Sequence, residues 1–232
     1  MYVLVFIILG FLIYKNLDHF RYNRSHLINK KLLTERDGFI PIKRCKHISE
    51  ILLKHPQMGM GGFCIRFSDE LNTKALFTKN GLKEIYEIFK TVKSPDTKYY
   101  ICNVLILPTS SGITIGEHYD GTHETTDYLD RQYMPMCTSV LYLNLPSTFE
   151  GGELYLKKFN SSYIYKNIKP CIGKMVEFRG DMAHGVNEIH SEENVDRLSL
   201  VFEQYTVANK TKFKIEPIFT EVERVNGEVH FS

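Results

Sequence analysis

Residues 197–205 read Arg-Leu-Ser-Leu-Val-Phe-Glu-Gln-Tyr, nine β-prone residues in which every second position shares a face. Working back from it, Lys174-Met-Val-Glu-Phe178 and Leu154-Tyr-Leu156 are short runs of the same kind. Ser139-Val-Leu-Tyr-Leu-Asn-Leu145 is closed by Pro146, and Tyr99-Tyr-Ile-Cys-Asn-Val-Leu-Ile-Leu107 by Pro108 and a Thr-Ser-Ser-Gly turn. Short strands between turn signals, with no helical pattern separating them, predict an antiparallel sandwich or barrel. Glu150-Gly-Gly-Glu153 reads as a hairpin turn within it. Before Pro95 the pattern differs. Asn80 to Lys93 predicts a helix capped by Asn80, whose apolar stripe Leu82, Ile85, Phe89 and Val92 suits packing against a sheet. Met58-Gly-Met-Gly-Gly62 reads as a loop, without the GK[ST] that a phosphate-binding loop requires.

The expected fold is therefore mainly β with flanking helices (α+β), preceded by a hydrophobic segment. The expected divisions are 1–15, an anchor or signal segment; 16–94, connector and supporting helices; and 95–232, the β domain. Met1 to Tyr14 is uncharged and almost wholly apolar, shorter than the ~20 residues of a membrane-spanning helix. Lys15, Arg21, Arg24, Lys30 and Lys31 all follow it, which favours a cytoplasmic β domain. Membrane attachment through residues 1–15 is expected, at an endomembrane or on the cytoplasmic face. The 232 residues carry 29 basic and 27 acidic side chains, so no positive excess marks a nucleic-acid partner, and none is expected. Five cysteines without a CxxC pair imply neither a disulfide framework nor a cysteine zinc site. Asn23, Asn160 and Asn209 begin N-x-[ST] sequons.

Chemistry concentrates in three places. His118-Tyr119-Asp120 puts an imidazole and a carboxylate on one strand face, where both can meet one ion. His184 completes a two-histidine, one-carboxylate set, the donor pattern of non-haem Fe(II) with open positions for a bidentate co-substrate and dioxygen. Zinc prefers a closed tetrahedral set and performs no redox step. Arg197 and Ser199 share a face, and the planar guanidinium suits a carboxylate at the far end of a ligand. Tyr142 offers a phenol from the adjacent β run, with a plain core aromatic as its competing reading. His123 and His190 read as surface residues. Asp127, Asp130 and Arg131 fall in a segment, Gly121 to Met136, whose position suits covering a site.

The chain resembles the 2-oxoglutarate- and Fe(II)-dependent dioxygenases, in their prolyl and lysyl hydroxylase-like branch, from about Val104 to Tyr205. The resemblance rests on His118-x-Asp120, Thr138-Ser-Val-Leu-Tyr-Leu-Asn144, Glu150-Gly-Gly-Glu-Leu154, Pro170-Cys-Ile-Gly-Lys-Met-Val-Glu-Phe178, His184-Gly-Val186 and Arg197-x-Ser199, in family order. It implies a double-stranded β-helix, or jelly roll, with His118, Asp120 and His184 as the iron ligands. Arg197 would pair with the distal carboxylate of 2-oxoglutarate, supported by Tyr142 and Ser199. It further implies Fe(II) as cofactor, 2-oxoglutarate as co-substrate, ascorbate as reductant, and release of succinate and carbon dioxide. The implied substrate is a peptide or protein side chain, prolyl first and lysyl second. Arg197 stands where collagen-type prolyl 4-hydroxylases generally carry Lys, and no tyrosine lies between Thr109 and Glu117. The same chemistry on a small molecule or a nucleic-acid base, a zinc-dependent cupin-type enzyme, and a non-catalytic jelly-roll binding module are the alternatives.

Overall fold

The computed structural model describes residues 27, 30–59, 61–68, 72–109, 114–120, 134–206, 219–225 and 228–231. The apolar run at 1–14, the segment with His123, Asp127, Asp130 and Arg131, and the sequons at Asn23 and Asn209 lie outside them. Among the described residues no helix is long and apolar enough to cross a membrane.

Among the described residues, fourteen strands and three helices follow in chain order: β1 (Leu33–Arg36), α1 (Ile42–Leu53), β2 (Gly62–Ser68), α2 (Thr73–Lys79), α3 (Lys83–Val92), β3 (Tyr99–Leu107), β4 (Ile115–His118), β5 (Cys137–Asn144), β6 (Glu150–Gly151), β7 (Leu154–Lys157), β8 (Ile164–Ile168), β9 (Met175–Arg179), β10 (Ala183–Val186), β11 (Ile189–His190), β12 (Arg197–Tyr205), β13 (Phe219–Val225) and β14 (Glu228–Phe231). The major sheet runs β1-β9-β5-β12-β3-β2-β13-β14 and the minor sheet β4-β10-β7-β8, with β6 and β11 paired apart. Every pairing is antiparallel. Val140, Tyr142 and Val176 of the major sheet share one apolar cluster with Leu154, Leu156 and Val186 of the minor sheet. The two sheets thus face each other across a core, as a jelly roll requires.

β12 is the central strand of the major sheet and is buried along its whole length. Its residues 198, 200 and 202 point to a second core, built with Phe77, Ile85, Phe89 and Val92 of the helices. Residues 197, 199 and 201 point the other way, toward the minor sheet. The sheet is therefore covered by helices on one face and bears the candidate site on the other.

Two sequence expectations change. The predicted helix from Asn80 begins only at Lys83, with Leu82 at its N-cap; Asn80 instead ends α2, donating its Nδ2 to the Leu76 carbonyl at 2.9 Å. Gly81, at φ +74°, reverses the chain between the two helices, a conformation that favours glycine. The stripe itself is buried against the sheet as expected. The stretch before Pro95 also supplies strands. β1 adds an edge to β9, and β2 pairs with β3 along its full length, Gly62 opposite Leu105 through Ser68 opposite Tyr99.

Candidate metal and co-substrate site

His118 closes β4 and His184 lies in β10, and the two are directly opposed across the strand pair. That register comes from a close approach at the next residue. A Cβ on Gly185 would lie 2.3 Å from the Tyr155 hydroxyl oxygen and 2.6 Å from the Ile115 carbonyl oxygen, so only glycine lets β4 and Tyr155 close over β10. The imidazole centroids are 4.3 Å apart. Asp120, two residues beyond β4, is buried and turns its carboxylate onto both rings. Its Oδ1 lies 3.4 Å from His184 Nε2 and 3.7 Å from His118 Nε2. One donor atom from each residue falls within 4.8 Å of the others, which suits a single metal ion.

Each ligand is oriented from behind. His118 Nδ1 lies 2.8 Å from the Gly116 carbonyl and His184 Nδ1 3.1 Å from that of Met182. Donation to those carbonyls places a proton on Nδ1 and turns each Nε2 toward Asp120. Thr138 of β5 donates its hydroxyl to Asp120 Oδ2 at 2.5 Å. Burial opposes the Asp120 charge, yet the His184 and His118 rings, through charge and hydrogen bonding, hold its carboxyl well below the usual carboxylate range. Burial likewise opposes charge on His118, and the Asp120 hydrogen bond and charge outweigh it to raise the imidazole above its ordinary value.

On the same face of β5, Tyr142 is completely buried and its hydroxyl has no hydrogen-bond partner. Arg197 lies over the Tyr142 ring, its guanidinium carbon 4.9 Å from the centroid. The guanidinium is also buried. It donates to the Gly152 carbonyl at 2.8 Å and to Ser199 Oγ at 3.3 Å, and no carboxylate among the described residues pairs with it. Burial pushes the Arg197 cation down from its usual value and the Tyr142 phenol up. A buried cation without a counter-charge beside an orphaned buried hydroxyl is costly unless a ligand completes both. A carboxylate bridging Arg197 and Tyr142 does so, and Ser199, directly opposite Tyr142 across β12 and β5, stands at the same level.

The six candidate ligand and co-substrate residues thus fall into two groups: His118, Asp120 and His184 together, and Arg197, Tyr142 and Ser199 together. His190 is exposed and its Nε2 pairs with Glu188 at 3.2 Å, a surface role. Two contributors escape sequence reading. Thr138 sits inside a quoted strand run but carries no spacing signal toward Asp120, eighteen residues earlier. The Glu150–Glu153 turn is more than a hairpin: Glu150–Gly151 forms β6, and the Gly152 carbonyl is an Arg197 acceptor.

Comparison with known proteins agrees with this geometry. Residues 104–202 match the family model of the 2OG-Fe(II) oxygenase superfamily. A PKHD-type hydroxylase of Prochlorococcus marinus (strain NATL2A) is 29% identical over 108 residues, 45% of this chain and 45% of its own length. The alignment therefore spans about half of that relative. Among solved structures, IDO from Bacillus thuringiensis superposes with a TM-score of 0.52 at 10% identity, over 75% of this chain and 90% of its own. The viral collagen prolyl hydroxylase of Paramecium Bursaria Chlorella virus-1 gives 0.49 at 18% identity, over 78% and 98%.

Proposed function

Because residues 104–202 match the family model of the 2OG-Fe(II) oxygenase superfamily, we propose that this chain is a hydroxylase of peptidyl side chains, prolyl first and lysyl second, that consumes 2-oxoglutarate and releases succinate and carbon dioxide. The observation that carries the co-substrate assignment is the buried, unneutralised Arg197 beside the orphaned Tyr142 hydroxyl, on the face of the major sheet from which Thr138 also reaches Asp120.

The residues fit the implied groups. Two neutral imidazole nitrogens and one carboxylate are the donors that suit Fe(II), and they leave coordination positions for the keto-acid end of 2-oxoglutarate. Ferrous iron bound there supplies the coupling of 2-oxoglutarate decarboxylation to insertion of oxygen into a C–H bond. The chain's own residues bind and orient. Arg197 and Tyr142 grip the distal carboxylate in a pocket from which burial excludes water, so the charge pairing is strong. Gly152 holds the guanidinium from behind through its carbonyl. Support for a peptidyl substrate comes from the order and content of the motifs between His118 and Ser199, which are those of the prolyl and lysyl hydroxylase-like branch. The hydroxylase relative of Prochlorococcus marinus is in keeping with that chemistry. Anchoring through residues 1–15 also belongs to this reading, on the strength of the apolar Met1–Tyr14 run. Membrane fractionation of a fluorescent fusion, with and without those residues, tests it.

The test is succinate release from 2-oxoglutarate by the purified chain, with and without Fe(II), beside folded His184→Ala and Asp120→Ala variants. Proline- and lysine-containing peptides are then screened for the mass gain of one oxygen. Iron-dependent succinate that vanishes in both variants is expected, with hydroxylation of a peptide. Normal iron-dependent turnover in either variant sinks the ligand assignment. Succinate formation accelerated by a small molecule, and by no peptide, sinks the peptidyl one.

A further inference from the structure

We infer that Thr138 is a positioning residue which keeps Asp120 a one-oxygen ligand and so preserves the open half of the metal site; the inference rests on the metal reading above. The two oxygens of Asp120 have separate roles. Oδ1 is the atom 3.4 and 3.7 Å from the two Nε2 atoms, while Oδ2 accepts the Thr138 hydroxyl at 2.5 Å. A hydroxyl donating to an ionised carboxylate makes a charge-assisted bond, roughly twice as strong as a neutral one.

The donor is rigid. Thr138 is fully buried in β5, flanked in register by Phe178 of β9 and Glu203 of β12, and its branched Cβ restricts rotation. Asp120, by contrast, lies beyond the last residue of β4, so no strand ladder sets its carboxylate. The two histidines are oriented by carbonyls two residues earlier in their own segments, Gly116 and Met182. Asp120 alone takes its orientation from a distant part of the chain.

Denticity decides what the site can accept. With both oxygens on the metal, three residues would fill four of six octahedral positions and leave two. With Oδ2 committed to Thr138 they fill three, and three remain for a chelating keto acid and dioxygen. Thr138→Val removes the hydroxyl at nearly constant shape, whereas Thr138→Ser keeps it. Partners of metal ligands typically contribute about 10–100-fold to metal affinity.

The experiment titrates the ligand-free protein with Co(II) by calorimetry and then titrates the Co(II)-loaded protein with 2-oxoglutarate, following the cobalt absorption. Thr138→Val is expected to weaken at least one of the two affinities by about 10–100-fold and to change the cobalt spectrum, with Thr138→Ser restoring both. Wild-type affinities and spectrum in a folded Thr138→Val overturn the inference. So does a Thr138→Ser that behaves as the Val variant does. Should Thr138→Val fail to fold, Thr138→Ala carries the same comparison. A wild-type chain that does not bind Co(II) overturns the metal reading itself, and this inference with it.

Discussion

Replacing Tyr142 by Phe should move stability and co-substrate affinity in opposite directions, a signature that a merely structural tyrosine would not give. The phenol oxygen is buried without a partner, and burial of an unsatisfied hydroxyl costs about 1–3 kcal/mol. Phe retains the ring face on which the Arg197 guanidinium rests, 4.9 Å from the centroid, so packing and cation–π contact persist. The ligand-free variant should therefore melt higher, each kcal/mol adding about 2–4 °C for a chain of this size. Binding should suffer. A hydrogen bond to a charged group contributes about 1.5–3 kcal/mol, and its loss weakens 2-oxoglutarate roughly 10- to 150-fold. Scanning calorimetry of the ligand-free protein and 2-oxoglutarate titration of the Co(II)-loaded protein measure the two quantities side by side. A Tyr142→Phe chain that melts lower than wild type without ligand would show that the hydroxyl already has a partner. Unchanged 2-oxoglutarate affinity would remove Tyr142 from the pocket.

Other perturbations reach different parts of the structure. Arg197→Ala should raise the 2-oxoglutarate requirement far more than the Fe(II) requirement, because Arg197 touches Gly152, Ser199 and Tyr142 but no ligand residue; equal effects in steady-state kinetics would remove its assigned role. In Gly185→Ala the new methyl meets the Ile115 carbonyl, a backbone atom, so β4 must shift and carry His118 with it. Overpacking of this kind costs about 1–3 kcal/mol, and Co(II) affinity should fall as well; a stable variant with unchanged affinity would contradict the close approach. Glu193 accepts bonds from the Ser147 hydroxyl and amide and from the Thr148 amide and hydroxyl, which lower its carboxyl to about 2 from an ordinary 4.5. Its hold on that loop is thus complete above about 4.5 and is lost as pH falls through about 2. Carboxyl NMR titration should show that low midpoint, and one near 4.5 would refute it. Burial, with help from the Glu177 charge, pushes the Cys137 thiol up to about 12, while Cys171 is exposed. Alkylation at mild pH followed by mass spectrometry should find Cys171 modified first, and equal rates would count against the burial of Cys137.

The candidate site was more legible from sequence than the strand inventory. The i, i+2 rule reads His118 with Asp120 and Arg197 with Ser199; the second pair does lie along β12, whereas Asp120 stands beyond the end of β4 and meets both imidazoles without a strand to set it, and His184 enters by donor type alone. Tyr142 enters instead by its place in the neighbouring strand run, and it does lie directly opposite Ser199 across β5 and β12. β1 was not legible. Its four residues, Leu-Thr-Glu-Arg, are short and half-polar, and they become a strand by finding the free edge of β9. β2 was obscured by the glycines before it, which drew attention to a loop; Gly59 and Gly62 do close that turn with mutual hydrogen bonds, and the strand begins at its last residue. Asn80 misled because a residue that caps helix starts can also end one when its amide reaches back four residues. Thr138 and the Gly152 carbonyl lie beyond sequence reading altogether, since their partners are set by tertiary register and, for Gly152, by backbone chemistry that no side chain announces.

β12 also behaves as a beam clamped along one side. Its even residues, Leu198, Leu200 and Phe202, are gripped by the helix-side core that includes Phe89, and its odd residues carry Arg197 and Ser199 into the pocket. The strand has no slack with which to absorb a disturbance on one side only, because both of its ladders, to β3 and to β5, are continuous through residues 199–204. Looseness introduced among the aromatic rings behind the sheet is therefore transmitted to the guanidinium in front of it. On the proposed function, the precision with which Arg197 would meet a ligand carboxylate is, in that sense, a property of the helices.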